Sequence, residues 1–238
     1  MRNISFLIIC LFVAIFSNAQ QVNDPNAEQR QVSNFHKIEV SNGIKLMLTQ
    51  GGTEAVAVSA SDPEIRKNIR TEVSNGVLKI YYDRNYLKQL NDHGNKKLKA
   101  YVSFINLDGL EANSGSLVNV QNEVKVNSLE MEATSGAQIE GRFNVSKLEI
   151  DQNSGSIVKI SGSASSINVE GSSGSIFEGF DMVTDNCDAE TSSGAIINIT
   201  VNKELNAEAS SGGLVHYKGN GMIRNISTSS GGSISKKS

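Results

Sequence analysis

Six carboxylates recur along the second half of this sequence at nearly one interval: Glu111, Glu132, Asp151, Glu170, Glu190 and Glu208. Each stands three residues before a Ser-Gly dipeptide, and only Ser227, in the last repeat, breaks the row. Carboxylates spaced regularly on a rigid support could bind divalent cations or a cationic ligand. Calcium prefers several oxygens converging on one point, and a linear row offers few per ion, so divalent binding should be weak and no cofactor is implied. Neighbouring exposed carboxylates about 5 Å apart repel by about 0.8 kcal/mol in water. Hydrogen bonds from backbone N–H groups at the Ser-Gly corner, or lysines such as Lys125 and Lys147, would offset that repulsion. The repulsion would also discourage lateral association of sheets.

Other chemistries are thinly supplied. His36, His93 and His216 fall in separate regions, and no pair has metal-ligand spacing. Serines abound, but there is no Gly-x-Ser-x-Gly elbow, and a serine repeated seven times is a turn device before it is a nucleophile. Gly-Gly pairs beginning at Gly51, Gly212 and Gly231 do not open a helix after a strand, so they make no phosphate cradle. Arginine is sparse in the repeats, with only Arg142 and Arg224 beyond Arg84, and tryptophan, the best sugar-stacking side chain, is absent. No catalytic residue is expected. The net charge of −3 gives no reason to expect nucleic acid or an anionic membrane as partner.

The elements that must hold the carboxylates follow from the same repeat. Ser-Gly occurs at Ser114-Gly115, Ser135-Gly136, Ser154-Gly155, Ser173-Gly174, Ser193-Gly194, Ser211-Gly212 and Ser230-Gly231, with offsets of 21, 19, 19, 20, 18 and 19 residues. Aligned on the dipeptide, Leu110, Met131, Ile150, Val169, Ala189, Ala207 and Ile226 lie four residues before the Ser. Leu129, Leu148, Ile167, Cys187 and Leu205 lie six before it. Leu117, Ile157, Ile176, Ile196 and Leu214 lie two after the Gly, with Gln138 and Ser233 as exceptions, and are expected to point inward too. Alternation on both sides of a turn describes strand, corner, strand. Gly suits the corner because it takes positive φ freely, and small neighbours suit coils stacked about 4.8 Å apart. Cys187 falls in a row of Leu and Ile and reads as a small core hydrophobe.

A unit of roughly 19 residues cannot bury its apolar face alone, whereas a stack of such units buries a continuous core. The fold class expected is therefore all-β: a right-handed parallel β-helix, or solenoid, with about seven C-terminal coils and an irregular N-terminal β portion. The unit lacks a 3.6-residue period, which argues against helical repeats, and is half the length of a propeller blade. Residues 35–106 read as the irregular coils and 107–238 as the regular ones, in one domain spanning 35–238. Within the first part, strands are expected near Ile38–Leu48, Ala55–Ala60, Val77–Tyr82 and Lys99–Ile105. A helical turn or wide loop is expected at Pro63–Arg70, and an exposed charged excursion at Arg84–Lys97.

The N-terminus reads as an export signal over residues 1–19. Arg2 precedes an apolar run from Ile4 to Phe16, and Ser17-Asn18-Ala19 places small residues for cleavage. Cys10 follows the bulky Ile9, which speaks against lipid attachment. The run is too short to span a bilayer comfortably, and no later segment could insert. Residues 20–34 are polar and aperiodic and read as a flexible leader. An exported chain left with the single cysteine Cys187 must be stabilised by packing and backbone pairing.

Several segments together resemble a known family. Ser33-Asn34-Phe35-His36-Lys37-Ile38-Glu39-Val40 with Gly43-Ile44-Lys45-Leu46, then Val73-Ser74-Asn75-Gly76-Val77-Leu78-Lys79-Ile80, then Leu107-Asp108-Gly109-Leu110-Glu111-Ala112-Asn113-Ser114-Gly115-Ser116, resemble successive signatures of the head GIN domain. That family is described as the head of auto-transporter adhesins, exported proteins of Bacteroidetes-type bacteria. The resemblance, covering about Ser33 to Ile234, implies a parallel β-helix used in adhesion and brings no catalytic residues. No segment reads as a translocator barrel or sorting domain, so self-translocation is not expected.

The function expected is that of an exported, non-enzymatic β-solenoid acting as an adhesin or surface-interaction protein, in the periplasm, on the outer surface or secreted. Its partner would be a cell-surface glycan or protein, with self-association through the solenoid ends, one of which Lys236 and Lys237 could blunt. The competing classes are a polysaccharide lyase-like enzyme on the same scaffold and a structural cell-envelope protein.

Overall fold

The computed structural model describes residues 24–83 and 96–238. Strand accounts for 64% of the described residues and helix for 2%, and about seven turns of roughly 19 residues form a β-solenoid behind an irregular N-terminal sheet. Residues 1–19, read as an export signal, lie outside the described residues, as does most of the excursion expected at Arg84–Lys97.

The regular coils begin with β8 (Gly109–Ala112) and β9 (Leu117–Val120). They continue through β10 (Val124–Ala133), β11 (Gln138–Gln152), β12 (Ile157–Gly171), β13 (Ile176–Thr191) and β14 (Ile196–Ala209). The series closes with β15 (Leu214–Lys218), β16 (Met222–Thr228) and β17 (Ser233–Lys236). Every coil pairs in parallel with the next, so like positions stack: Leu129 on Leu148, then Ile167, Cys187 and Leu205. In β11 the alternation of buried and exposed residues lapses at Gly141-Arg142 and again at Ser146-Lys147. With the Ser-Gly corner, these two bends give each full coil three short faces.

The corner is a two-residue turn with both residues left-handed. Ser154 has φ 52° and Gly155 φ 70°, and the other six Ser-Gly pairs match them closely. Ser156 N–H closes the turn on the Asn153 carbonyl at 3.2 Å, and Gly155 N–H reaches the next coil's Ser173 carbonyl at 3.1 Å. Asn42-Gly43, with φ 62° and 73°, heads the same column and bonds the Ser114 carbonyl. The corner itself is exposed, and a Cβ on Gly155 would meet open space. The crowded positions are the buried residues on either side of it, such as Ala133 and Ala137.

Two expectations need correction. Leu117, Ile157, Ile176, Ile196 and Leu214 do not point inward; they form a half-buried row on the outer face. The inward residue is the third after the Gly: Val118, Ile139, Val158, Phe177, Ile197 and Val215 are all buried. Parity runs straight through the corner, and the outer aliphatic side chains shield one another by stacking in register. The flexible-leader reading also fails over its described part. β1 (Glu28–Arg30) pairs antiparallel with β4 (Ala55–Ser59), and Asp24 accepts hydrogen bonds from Tyr101 Oη at 2.8 Å and Lys99 Nζ at 3.0 Å. A three-residue strand polar on both faces leaves no period to read.

The first coil, β2 (Lys37–Val40) and β3 (Lys45–Gln50), stacks on β8 and β9. On its other side lie β6 (Val77–Tyr82) and β7 (Lys99–Phe104), also parallel to it. β5 (Ile69–Ser74), β4 and β1 then close this end with antiparallel pairs. The helical turn α1 (Pro63–Arg66) is capped by the Asp62 side chain. No helix among the described residues is long and apolar enough to cross a membrane.

Candidate functional site

The face that runs into the Ser-Gly corner carries the acidic row. Its side chains alternate with the buried residues four and two before the Ser, so they project outward: Glu132, Asp151, Glu170, Glu190 and Glu208 are exposed and Glu111 half-buried. Strand register stacks them directly, Glu111 on Glu132, Asp151, Glu170, Glu190 and Glu208 in turn. Ser227 ends the column.

The face is more acidic than the repeat alone reveals. Glu39 stacks on Glu111 and extends the column across the first coil, where Lys79 pairs with it at 2.7 Å. A second column lies two residues earlier, with Glu130, Glu149 and Asp188 in register with Asn168 and Asn206. The repeat alignment contains that column too, five residues before the Ser, but its mixture of acid and amide hides it.

The expected compensation is not where it was sought. The Gly N–H of each corner and the N–H that closes the turn bond to carbonyl oxygens, Ser116 N–H to Asn113 at 3.1 Å for example, and among the described residues no corner N–H donates to a carboxylate of the row. Lys125 pairs with Glu123 at 3.1 Å, and Lys147 pairs with Glu149 of the second column. Within the main row, Glu111 accepts from Asn113 Nδ2 at 3.2 Å. Among the described residues the carboxylates of Glu132, Asp151, Glu170, Glu190 and Glu208 have no ion pair or side-chain hydrogen bond. The Glu132 carboxyl is accordingly pushed above its ordinary pKa, by partial desolvation first and then by Glu111, Asp151, Glu130 and Glu39. Asp151 is raised likewise, by desolvation and then by Glu170, Glu130 and Glu149.

Shallow recesses open between the rungs. One of about 160 Å³ lies among Asp151, Asn153, Glu170, Ser172 and Glu190, and one of about 150 Å³ lies against Lys37, Glu39, Glu111, Glu130 and Glu132. Among the described residues no three His, Cys, Asp or Glu side chains converge as metal ligands would. The columns run along the axis and enclose no point.

A larger groove, about 660 Å³, follows the bend after the corner face on its far side. Glu140, Arg142, Lys159, Glu178, Phe180 and Asp181 line it. Lys159 lies 3.6 Å from Glu140, Arg142 donates to Glu123 at 3.0 Å, and Lys218 Nζ sits 4.8 Å from the centre of the Phe180 ring. Acids and bases thus do gather on one face, a juxtaposition the low arginine count concealed.

The other sequence candidates stay apart. His36 Nδ1 lies 2.8 Å from Asp108, His216 Nδ1 lies 3.0 Å from Asn198 Oδ1, and His93 is outside the described residues. Cys187 is buried in the Ile167–Leu205 stack, and burial pushes its thiol up to about 12, which removes it as a nucleophile.

Comparison with known proteins bears on this arrangement as a whole. Residues 34–221 match the family model described as "Putative auto-transporter adhesin, head GIN domain". A "putative adhesin" of Bacteroides fragilis superposes with TM-score 0.77 at 19% identity, covering 89% of this chain and 96% of that one. A "putative lipid binding protein" of Parabacteroides distasonis gives 0.69 at 18%, covering 90% and 98%. A "putative adhesin" of Parabacteroides merdae gives 0.70 at 13%, covering 89% and 95%. At these identities the likeness is one of fold. Comparison with curated proteins finds no match.

Proposed function

Because this chain belongs to the head GIN domain family, we propose that it is an exported, non-enzymatic adhesin whose acidic face is its contact surface. One observation carries the reading: five stacked carboxylates, from Glu132 to Glu208, face solvent without a counter-charge. Stacked like charges cost folding energy, and a partner that brings positive charge recovers it on binding. The partner class is a cell-surface glycan or protein bearing cationic groups, met in the periplasm, on the outer surface or after secretion. Glu111, Glu132, Asp151, Glu170, Glu190 and Glu208 are the contact residues. Divalent ions bind this face weakly, since a straight column offers an ion few oxygens at once.

The groove lined by Glu140, Arg142, Lys159 and Glu178 favours a second reading, a carbohydrate-active enzyme on the same scaffold. A glycan array and an oligolysine-peptide titration of the exported chain, run beside a polysaccharide-depolymerisation screen, separate the classes. Binding without turnover, weakened at least about tenfold by Glu170→Gln with Glu190→Gln, supports the adhesin reading. Turnover lost on Glu140→Gln would establish the enzyme instead. Neither binding nor turnover would leave a structural envelope protein.

A further inference from the structure

Asn-Gly occurs three times in the chain, at Asn42-Gly43, Asn75-Gly76 and Asn220-Gly221. With no Cβ on the second residue, the glycine nitrogen can approach the asparagine Cγ and close a five-membered imide. Two things hold that reaction back: a hydrogen bond that occupies the glycine N–H, and one that fixes the asparagine side chain. The fold imposes them unequally. Gly43 N–H donates to the Ser114 carbonyl at 3.1 Å, and Asn42 Oδ1 accepts from Ser41 Oγ at 3.1 Å. Gly221 N–H donates to the Val201 carbonyl at 2.9 Å. Asn75-Gly76 forms the turn between β5 and β6, with both residues left-handed at φ 51° and 76°. Among the described residues neither the Gly76 N–H nor the Asn75 side chain has a hydrogen-bond partner, and Asn75 is exposed.

His36 is set against this turn. The N–H groups of His36 and Lys37 donate to the Gly76 carbonyl at 2.9 and 3.1 Å, which holds the imidazole beside the glycine. The two Asp108 oxygens lie 2.8 and 2.9 Å from His36 Nδ1. A carboxylate only accepts, so Nδ1 carries the proton and the neutral ring keeps its lone pair on Nε2. Nε2 is the atom that a Cβ on Gly76 would meet first, which puts it within about 5 Å of the glycine nitrogen by bond geometry. A base acting through one water works over that distance.

We infer that Asn75-Gly76 is a self-modification site at which His36 serves as the base. Gly76 N attacks Asn75 Cγ, and the N–Cγ bond forms as the amide proton passes to His36. The Cγ–Nδ2 bond then breaks, and Nδ2 leaves as ammonia with the proton that His36 returns. Water opens the imide at either carbonyl and gives aspartate or isoaspartate at position 75. Both products place a new carboxylate beside His36. The iso product also adds one backbone carbon to a two-residue turn, which loosens the hairpin of β5 and β6 at the N-terminal end of the solenoid.

This inference is independent of the adhesin reading. To test it, the folded chain is incubated at neutral pH, and conversion at each Asn-Gly is followed by peptide mass spectrometry and by hydroxylamine cleavage of the imide. Asn75 should convert roughly tenfold faster than Asn42 or Asn220, the factor that one broken backbone hydrogen bond supplies. In urea the three rates should converge, because the difference lies in the fold. His36→Gln should slow conversion at Asn75 by about tenfold or more while leaving Asn42 and Asn220 unchanged. The wild-type comparison needs no variant, so the test survives if His36→Gln fails to fold. Equal rates in the folded chain overturn the site, as does a lead of Asn75 that persists in urea. An unchanged Asn75 rate in folded His36→Gln overturns the role of the base.

Discussion

Glu132 and Asp151 carry the energetic signature of the acidic face. Each sits between like charges in its column, and each holds its proton more tightly folded than unfolded. A raised folded-state pKa means the native state binds more protons in the window just above the ordinary carboxylate range. Stability therefore falls as pH rises through that window, and the full penalty applies at neutral pH. Replacing Glu132 by Gln together with Asp151 by Asn should stabilise the fold by about 1 kcal/mol at low salt, the size of one or two screened Coulomb contacts. Urea denaturation would read this gain. It should shrink on acidification, as the wild-type groups take up protons above the ordinary carboxylate range, and in concentrated salt. A double variant no more stable than wild type would mean that the column is compensated. Asp24 behaves in the opposite sense. Burial works to raise its pKa, but hydrogen bonds from Tyr101 and Lys99 outweigh that and hold it well below the usual carboxylate range. Its contribution is present at neutral pH and lost only in strong acid. The main acidic row was legible in the sequence because each member keeps one distance from a recognisable dipeptide. Glu39 was not, since its coil is marked by Asn42-Gly43 instead, and the Asp24 clasp joins residues 75 and 77 positions apart that share no pattern.

Among the elements, the corner carries most of the repeat's specificity. Both of its residues are left-handed, so every Ser-Gly holds a serine in a region L-residues enter at a cost of about 1–2 kcal/mol. The Gly beside it avoids that cost. Gly155→Ala should destabilise by about 1–2 kcal/mol through the backbone alone, because no atom obstructs the new methyl group. Gly155→Asn should cost less, as Asn tolerates this region. Gly162, at φ 118°, is different in kind. A Cβ there would lie 1.9 Å from the Phe143 carbonyl oxygen, so Gly162→Ala should cost more than Gly155→Ala in the same denaturation series. The corner could be found in the sequence because Gly recurs there, yet the serine's own conformation could not, since serine seldom adopts it. The inward rows before the corner were correct for a simple reason: apolar type and parity agree there. After it they disagree. The outer Ile157–Ile176–Ile196 stack is more apolar than its surroundings and drew the inward assignment, whereas strict alternation selects Val158, Phe177 and Ile197.

In the molecule as a whole, stability should be graded along the axis. Each coil touches only its neighbours, so central coils are held on both sides and terminal ones on one. Hydrogen exchange should be slowest in β11 to β14 and fastest in β16 and β17. Phe177→Ala, deep in the middle, should cost about 3–5 kcal/mol in urea denaturation. At the other end Asp24→Ala should quicken exchange in β1 while leaving β12 unchanged. The solenoid itself was readable from its period. The antiparallel closure of the N-terminal end was not, because β4 and β5 look like any short strands and only pairing direction distinguishes them.

The ladder of corner bonds, each Gly N–H donating to the Ser carbonyl of the following coil, lies along the solenoid axis together with the sheet's own inter-coil bonds. Tension between the two ends is therefore directed along those bonds and loads them one rung at a time instead of shearing many at once. Under pulling, coils should peel singly, beginning at the last, each paying out about 60 Å of chain from its roughly 19 residues. Single-molecule stretching should give a train of small, evenly spaced steps. A protein built this way yields gradually under drag, and its force limit is set by one coil however many are stacked.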